Sequence, residues 1–419
     1  MTAPARPAGI RRRSDCRLCG STRLVPVFSL TPTPPANACV PAERVGMPQA
    51  KYPLDLFFCA DCTHLQLLDV VDPGELFEQY VYVSGTSPVF VEHFRNYAAT
   101  LGQRYRPPAG GLVVDIGSND GTLLRCFQEA GHPVLGVDPA REIARRATAA
   151  GIETLATFFT PDLARELRRE RGPAVIVTAN NVFAHADDLA GILDGVRHLL
   201  APGGIFAFEV SYLLEVHRQT LFDTIYHEHL AYHAVRPLLG FLERGGMELI
   251  AADPVPTHGG SIRCIAQPRG GPHPVADSVA RQLALESAAG LDQAATWIEF
   301  GRRIDQLGHE LKALLTDLRS RGQRIAGFGA PAKATTLMFH FGLGPESVEF
   351  IVDDSPLKQG LFTPGWHIPI LPSSAIYERK PDCLLLLAWN FAQPIMAKHQ
   401  RFQEAGGRFI IPIPKPEIV

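Results

Sequence analysis

The sequence predicts an α/β fold in three parts: a small cysteine-clasped N-terminal unit, a central doubly wound sheet and a second glycine-turn α/β unit. Three observations predict it. Two Cys-x-x-Cys pairs, Cys16/Cys19 and Cys59/Cys62, lie near the N-terminus. A strand, glycine turn, helix and strand run from Leu112 to Asp138. A second run of the same kind spans Arg324 to Asp354.

Size and composition agree. At roughly 150 residues per domain, 419 residues suggest about three domains. Hydrophobic residues make up 46% and charged residues 20%, as in ordinary globular chains. Forty basic against 43 acidic residues give a net charge of −3, which disfavours a nucleic-acid binder or a polybasic membrane-surface protein. No apolar run approaches the length of a membrane span. Arg11-Arg12-Arg13 has no apolar segment behind it, so a secretory signal is not expected and a cytoplasmic location is.

The cysteine pairs come first in the chain. Two residues between thiols let both sulfurs turn onto one metal, and two such pairs complete a four-thiolate zinc site at Cys16, Cys19, Cys59 and Cys62. Such a site is closed, so its role is structural. Cys39, between the pairs, reads better as a small buried hydrophobe than as a ligand. The unit is expected over residues 1–75. Tyr80-Val-Tyr82-Val-Ser84 then alternates in strand fashion.

The central unit is expected over residues 76–270. Leu112–Ile116 reads as a buried parallel strand, and Gly117 and Gly121 suit a turn that approaches a ligand closely. A helix from Leu123 and a strand from Pro133 follow, ending in Asp138. This is a nucleoside-binding half of a doubly wound sheet. The spacing Asp115-x-Gly117-x-x-x-Gly121 departs from the dinucleotide fingerprint. It resembles the first motif of class I S-adenosylmethionine methyltransferases. In them the glycine turn faces the methionine portion, and the acid after strand two accepts the ribose hydroxyls. Further strands are expected at Ala174–Thr178, leading into Asn180-Asn181-Val-Phe-Ala-His185, and at Ile205–Val210.

Tyr226-His227-Glu228-His229-Leu230-Ala-Tyr232-His233 is the densest polar cluster. Read as a helix, it places Tyr226, His229 and His233 on one face. The order does not match His-Glu-x-x-His, so acid–base chemistry is favoured over a catalytic metal.

The third unit is expected over residues 271–419. Helices are predicted across 275–320, with Leu283, Leu285, Leu291, Ile298, Leu307, Leu311 and Leu314 on apolar faces. Strands are expected at Val348–Val352, Cys383–Ala388 and Phe409–Ile413. Lys333, at the start of the helix after Gly329, suits a phosphate.

Taken together, these motifs resemble the three-domain sugar C-methyltransferases of deoxysugar biosynthesis. The likeness spans nearly the whole chain. It rests on the cysteine pairs, Pro34-Pro35-Ala36-Asn37, Tyr80 to Ser87, Asp115 to Gly121, Asn180 to His185, Tyr226 to Leu230, His258-Gly-Gly-Ser-Ile-Arg263 and Gly327 to Lys333. Known members methylate C3 of thymidine-diphosphate 4-keto-deoxysugars. The resemblance implies structural zinc, S-adenosylmethionine on the central unit, a Rossmann-like third unit that helps hold the nucleotide-sugar, and a monomer. It implies His229 as general base, with Glu228 and Tyr226 beside it. His185 and Tyr80, or Tyr82, would lie near the keto oxygen. Asp115, Gly117, Asn119, Asp120, Gly121, Asp138, Asn180 and Asn181 would hold the methyl donor. Ser84, Gly329, Lys333 and Asp353 would hold substrate. The alternatives are an N- or O-methyltransferase of a sugar or other small metabolite, an NAD-dependent oxidoreductase and a non-enzymatic binding module.

Overall fold

A computed structural model describes residues 9–78, 85 and 88–419. The N-terminal region contributes β1 (Ile10–Arg12), β2 (Leu24–Thr33), β3 (Tyr52–Cys59), β4 (Leu65–Leu67), β5 (Asp69–Val71) and the short helix α1 (Pro73–Phe77). β1 and β5 form an antiparallel ribbon. β2, β3 and β4 form an antiparallel sheet whose far edge is completed by a strand from much later in the chain. Leu54, Leu56, Phe58, Leu65 and Leu67 are buried between this sheet and the rest of the protein.

α2 (Pro88–Tyr105) leads into the central sheet. Its strands are β6 (Leu112–Ile116), β7 (Val134–Val137), β8 (Thr154–Leu155), β9 (Ala174–Asn180) and β10 (Leu200–Ser211). α3 (Thr122–Glu129), α4 (Arg141–Ala149), α5 (Pro161–Arg171) and α6 (Leu189–Leu199) connect them. After α7 (Leu213–Gln219) comes β11 (Ala231–Tyr232), the strand that closes the N-terminal sheet against β4. α8 (Val235–Arg244), β12 (Met247–Val255) and β13 (Ser261–Pro268) follow.

The seven strands run in the order β12-β13-β10-β9-β6-β7-β8. Six run in one direction, and β13 lies antiparallel to both neighbours. Val114, Ile176, Val177, Phe206 and Phe208 are fully buried, as expected for strands covered on both faces. The order reverses between β6 and β9, so a crevice opens at their carboxyl ends.

α9 (Asp277–Ala288) packs on β12, and the long α10 (Ala294–Ser320) crosses to the third unit. Leu291, Leu307 and Leu311 of the expected apolar set are buried. Leu285 and Ile298, by contrast, face solvent at 40% and 38% exposure. The third sheet comprises β14 (Ile325–Phe328), β15 (Ile351–Val352), β16 (Ile370–Leu371), β17 (Cys383–Leu386), β18 (Arg408–Ile411) and β19 (Glu417–Ile418). Its helices are α11 (Ala332–His340), α12 (Ala375–Arg379), α13 (Ala392–Lys398) and α14 (Gln400–Glu404). The order is β16-β15-β14-β17-β18-β19, with β19 antiparallel. The strand expected from Val348 pairs only at Ile351 and Val352.

One expected element is absent. Residues 226–233 are not a helix. The His229 amide donates to the Tyr226 carbonyl in a tight turn, and the Leu230 and Ala231 amides donate to the carbonyl of Ala184. β11 then pairs with β4, so long-range partners take the amides that a helix would have used.

No helix among the described residues is long and apolar enough to cross a membrane.

Candidate active site

The four cysteines of the paired motifs converge. Their sulfurs all lie within 4.8 Å of one another. Cys16 and Cys62 are 3.5 Å apart at Sγ, as are Cys19 and Cys59. Tetrahedral zinc with bonds of about 2.3 Å needs sulfur–sulfur edges of roughly 3.8 Å, so the donor set fits zinc. All four are free thiols. The contact with Cys62 lowers the Cys16 thiol to about 5 and raises the Cys62 thiol above its ordinary range, so the pair holds one proton between them. Cys39 stands outside the cluster.

At the crevice of the central sheet, the turn after β6 bends through three left-handed positions: Gly117 (φ 68°), Asn119 (φ 51°) and Gly121 (φ 76°). A Cβ on Gly117 would stand 2.2 Å from Val182 Cγ2, so only glycine lets the two loops approach. Asp138, at the end of β7, accepts the Asn119 amide on Oδ2 and the Ala140 amide on Oδ1, both at 2.8 Å. A carboxylate keeps further lone pairs after two such bonds. Asp120 accepts the Gly85 amide at 2.9 Å and the Thr122 hydroxyl at 2.7 Å. Asp115 is buried under the turn and accepts the Thr178 hydroxyl at 2.6 Å. Burial pushes its carboxyl up to about 7, against the lowering effect of Thr178.

Across the crevice, Asn180 ends β9, with its side-chain amide beside the buried Tyr97 hydroxyl but without a hydrogen bond of its own. Asn181 (φ 54°) donates its amide to the Glu209 carbonyl at 2.8 Å. A glycine turn facing an unsatisfied amide, with an acid on the neighbouring strand, fits a nucleoside carrying an amino acid. S-adenosylmethionine is such a molecule.

Beside this crevice the aromatic groups gather. His185 and His229 stack with centroids 4.9 Å apart. Phe77 of α1 stacks on His185 at 5.6 Å and 7°. The Tyr226 hydroxyl and His229 Nε2 are 2.9 Å apart. His229 Nδ1 lies 2.7 Å from the Thr224 carbonyl. A carbonyl only accepts, so this contact assigns the proton to Nδ1. The Nε2 lone pair then accepts from Tyr226. Burial, with the charge of Glu228, raises the Tyr226 phenol well above its usual range, so it stays a donor. Glu228 is buried and accepts the Asn37 amide at 2.8 Å. Asn37 belongs to the proline-rich string of the N-terminal unit, a partner that no local pattern reveals.

The other histidines of the cluster point elsewhere. His227 contacts the Tyr52 carbonyl at 3.1 Å, and His233 the Phe183 carbonyl at 3.2 Å. Burial pulls both down to about 4, so they are neutral packing groups. Tyr80, Tyr82 and Ser84 lie outside the described residues.

In the third unit, Asp353 shapes its own glycine turn: Oδ2 accepts the Ala330 amide at 2.7 Å and Oδ1 the Ser355 amide at 2.8 Å. Gly329 adopts φ 87°, with Ala388 Cβ 2.6 Å from where its own Cβ would stand. Lys333 Nζ lies 4.1 Å over the Trp389 ring. The Trp389 indole donates to the buried Asp223 at 2.6 Å. Burial lowers the Lys333 ammonium, opposed by Asp223.

A zinc-clasped N-terminal unit on a class I sheet with a nucleoside crevice defines an S-adenosylmethionine-dependent methyltransferase. Family models agree: a zinc-binding domain matches residues 16–77, a methyltransferase domain 90–252 and a C-methyltransferase C-terminal domain 256–414. The chain is 36% identical to C-methyltransferase NovU of Streptomyces niveus over 410 residues, covering 98% of each chain. It is 28% identical to a ubiquinone biosynthesis O-methyltransferase of Ralstonia nicotianae, over 35% of this chain and 66% of that one. Among solved structures, magnesium protoporphyrin IX methyltransferase of Synechocystis with bound SAH is 17% identical. It covers 42% of this chain and 82% of its own, with a TM-score of 0.32. The protein belongs to the family of zinc-containing, three-domain C-methyltransferases.

Proposed function

We propose that the protein methylates C3 of a thymidine-diphosphate 4-keto-deoxysugar in deoxysugar biosynthesis, with His229 as the base. One observation carries this reading: the Thr224 carbonyl fixes the His229 proton on Nδ1 and leaves Nε2 basic, against a protonated Tyr226.

A C–H beside a ketone is a weak acid, so its removal needs a base and a place for the charge that moves to oxygen. His229 Nε2 takes the C3 proton. Once protonated, Nε2 no longer accepts from Tyr226, so the Tyr226 hydroxyl turns its proton toward the developing oxyanion, and His185, stacked on the same ring, donates beside it, as donors of an oxyanion hole do. Tyr80 or Tyr82 joins them as a third donor. Glu228, anchored by Asn37, sets the turn that presents His229. S-adenosylmethionine supplies an electrophilic methyl group. Asp115, Gly117, Asn119, Asp120, Gly121, Asp138, Asn180 and Asn181 hold it against the sugar, where orientation supplies much of the rate. Ser84, Gly329, Lys333 and Asp353 serve the nucleotide-sugar, with units bounded at 1–75, 76–270 and 271–419.

The test is incubation with a thymidine-diphosphate 4-keto-2,6-dideoxyhexose in deuterated water, followed by mass spectrometry. Deuterium enters C3 without the methyl donor, and one methyl is gained with it. His229→Asn loses both by about 10²-fold or more while keeping its affinity for the donor. Full exchange and turnover in His229→Asn would remove it as the base.

A further inference from the structure

Arg17 lies between two zinc-site thiols, Cys16 and Cys19, yet its side chain turns away from them into the protein and is 0% exposed. Its Nε donates to Asp187 Oδ1 at 3.1 Å. Its Nη1 donates to Gln66 Oε1 at 3.0 Å, to the Leu67 carbonyl and to the Leu230 carbonyl at 3.3 Å. Gln66 also accepts the Arg17 amide at 3.1 Å.

Two of these partners flank the stacked histidines. Asp187 stands two residues beyond His185, and Leu230 directly follows His229. The two segments are joined further, because the Leu230 and Ala231 amides both donate to Ala184, next to His185. The Leu230 carbonyl also accepts the Leu67 amide at 3.0 Å. Arg11 and Arg13 add to the charge around Asp187 from the exposed side.

Burying a guanidinium costs several kcal/mol unless its donors are met, and here Nη2 finds no partner among the described residues, so part of that cost stays. A link whose only task was to seat the zinc unit on the core could be made by an apolar side chain at no such cost. Here the planar fork reaches both segments at once, a geometry that lysine cannot copy.

We propose that Arg17 is a positioning residue. It ties the four-thiolate unit to the spacing and tautomer of the His185–His229 pair. The functional half of this inference rests on the reading of His229 as base.

The first test needs no substrate. Histidine-labelled, zinc-loaded, full-length protein is studied by two-bond nitrogen–proton correlation spectra, with His229 assigned by its loss in His229→Asn. Wild type gives His229 as a single Nδ1–H tautomer. Arg17→Lys and Asp187→Asn give an averaged ring, while zinc stays at one per chain and the affinity for S-adenosylmethionine stays within about 3-fold. In the deuterium assay the same variants lose C3 exchange and kcat together, by about 30-fold, a rise of about 2 kcal/mol in barrier height, with KM nearly unchanged. An unchanged His229 signal with full exchange overturns the proposal. So does a loss that follows zinc content or donor affinity in every variant, which would make Arg17 a scaffold residue. Where wild type itself shows no exchange, the base reading fails and the tautomer spectra alone decide for or against Arg17.

Discussion

The central and third units contain the same turn, built the same way and filled differently. In each, an acid at the end of the neighbouring strand accepts a loop amide on Oδ2 and an amide two residues ahead of itself on Oδ1: Asp138 in one, Asp353 in the other. The strands before the turns align as Asp115-Ile-Gly117 and Gly327-Phe-Gly329. Where the central strand buries a carboxyl, the third has a glycine whose Cβ would stand 2.9 Å from Ile351 and 3.0 Å from Leu387. The central turn passes through three left-handed residues and faces an amide in need of a partner. The third has only Gly329 in that conformation between its strand and α11. α11 then spends its first turn on the neighbouring units. Thr335 donates to the Ala36 carbonyl at 3.0 Å and Thr336 to the Ile225 carbonyl at 2.8 Å, while Lys333 lies on Trp389 of its own unit. A strand–glycine turn–helix is thus a way to hold a loop, and the residues around it decide how much of it faces a ligand and how much is taken by a neighbouring unit.

Substitution of the paired glycines tests this most severely. Gly117→Ala puts a methyl group against Val182 in a left-handed backbone and weakens S-adenosylmethionine binding by about 100-fold. Gly329→Ala is as strained locally, yet leaves the donor affinity within about 3-fold. Calorimetric titration of both variants reads the contrast, and equal losses would erase the distinction between the turns.

The buried acid gives the next largest effect. Asp115 has a folded-state pKa of about 7, above its ordinary value, so folding takes up a proton between the two. Its contribution to stability is present at low pH and lost as pH rises through about 7. Between pH 5 and 8 the loss is about 2–3 kcal/mol. Asp115→Asn removes that slope, and denaturant midpoints at the two pH values measure it. An unchanged slope would place the carboxyl in contact with water. Lys333→Gln gives the smallest change: a rise of about 10-fold in KM for the nucleotide-sugar, on the order of one charged hydrogen bond, with donor affinity untouched. Steady-state kinetics at saturating donor separates the two, and a KM equal to wild type would leave Lys333 to the Asp223–Trp389 contact alone.

What the sequence reveals follows from how local the cause is. Paired thiols two residues apart, a buried strand running into a glycine turn, and an acid after the second strand are short-range patterns, and the fold carries them where expected. The cluster at 226–233 misleads because helical spacing of Tyr226, His229 and His233 is real, while the amides that decide the backbone bond to Ala184 and β4, far away in sequence. The same distance hides Asn37 behind Glu228 and Arg17 behind the histidine pair. Leu285 and Ile298 fit an apolar stripe yet meet solvent, since helical period alone does not say which face is covered.

The sheet that β11 completes also bears on how the chain is made. The thiols at 16, 19, 59 and 62 emerge early in synthesis and can capture metal at once. The edge of β4 stays unpaired until residues 231–232 have been translated and folded back. Through that interval the nascent unit presents an open strand to its neighbours, the kind of edge along which chains join to one another. A fragment cut after the cysteines would keep that edge for good, so it should bind its metal yet self-associate.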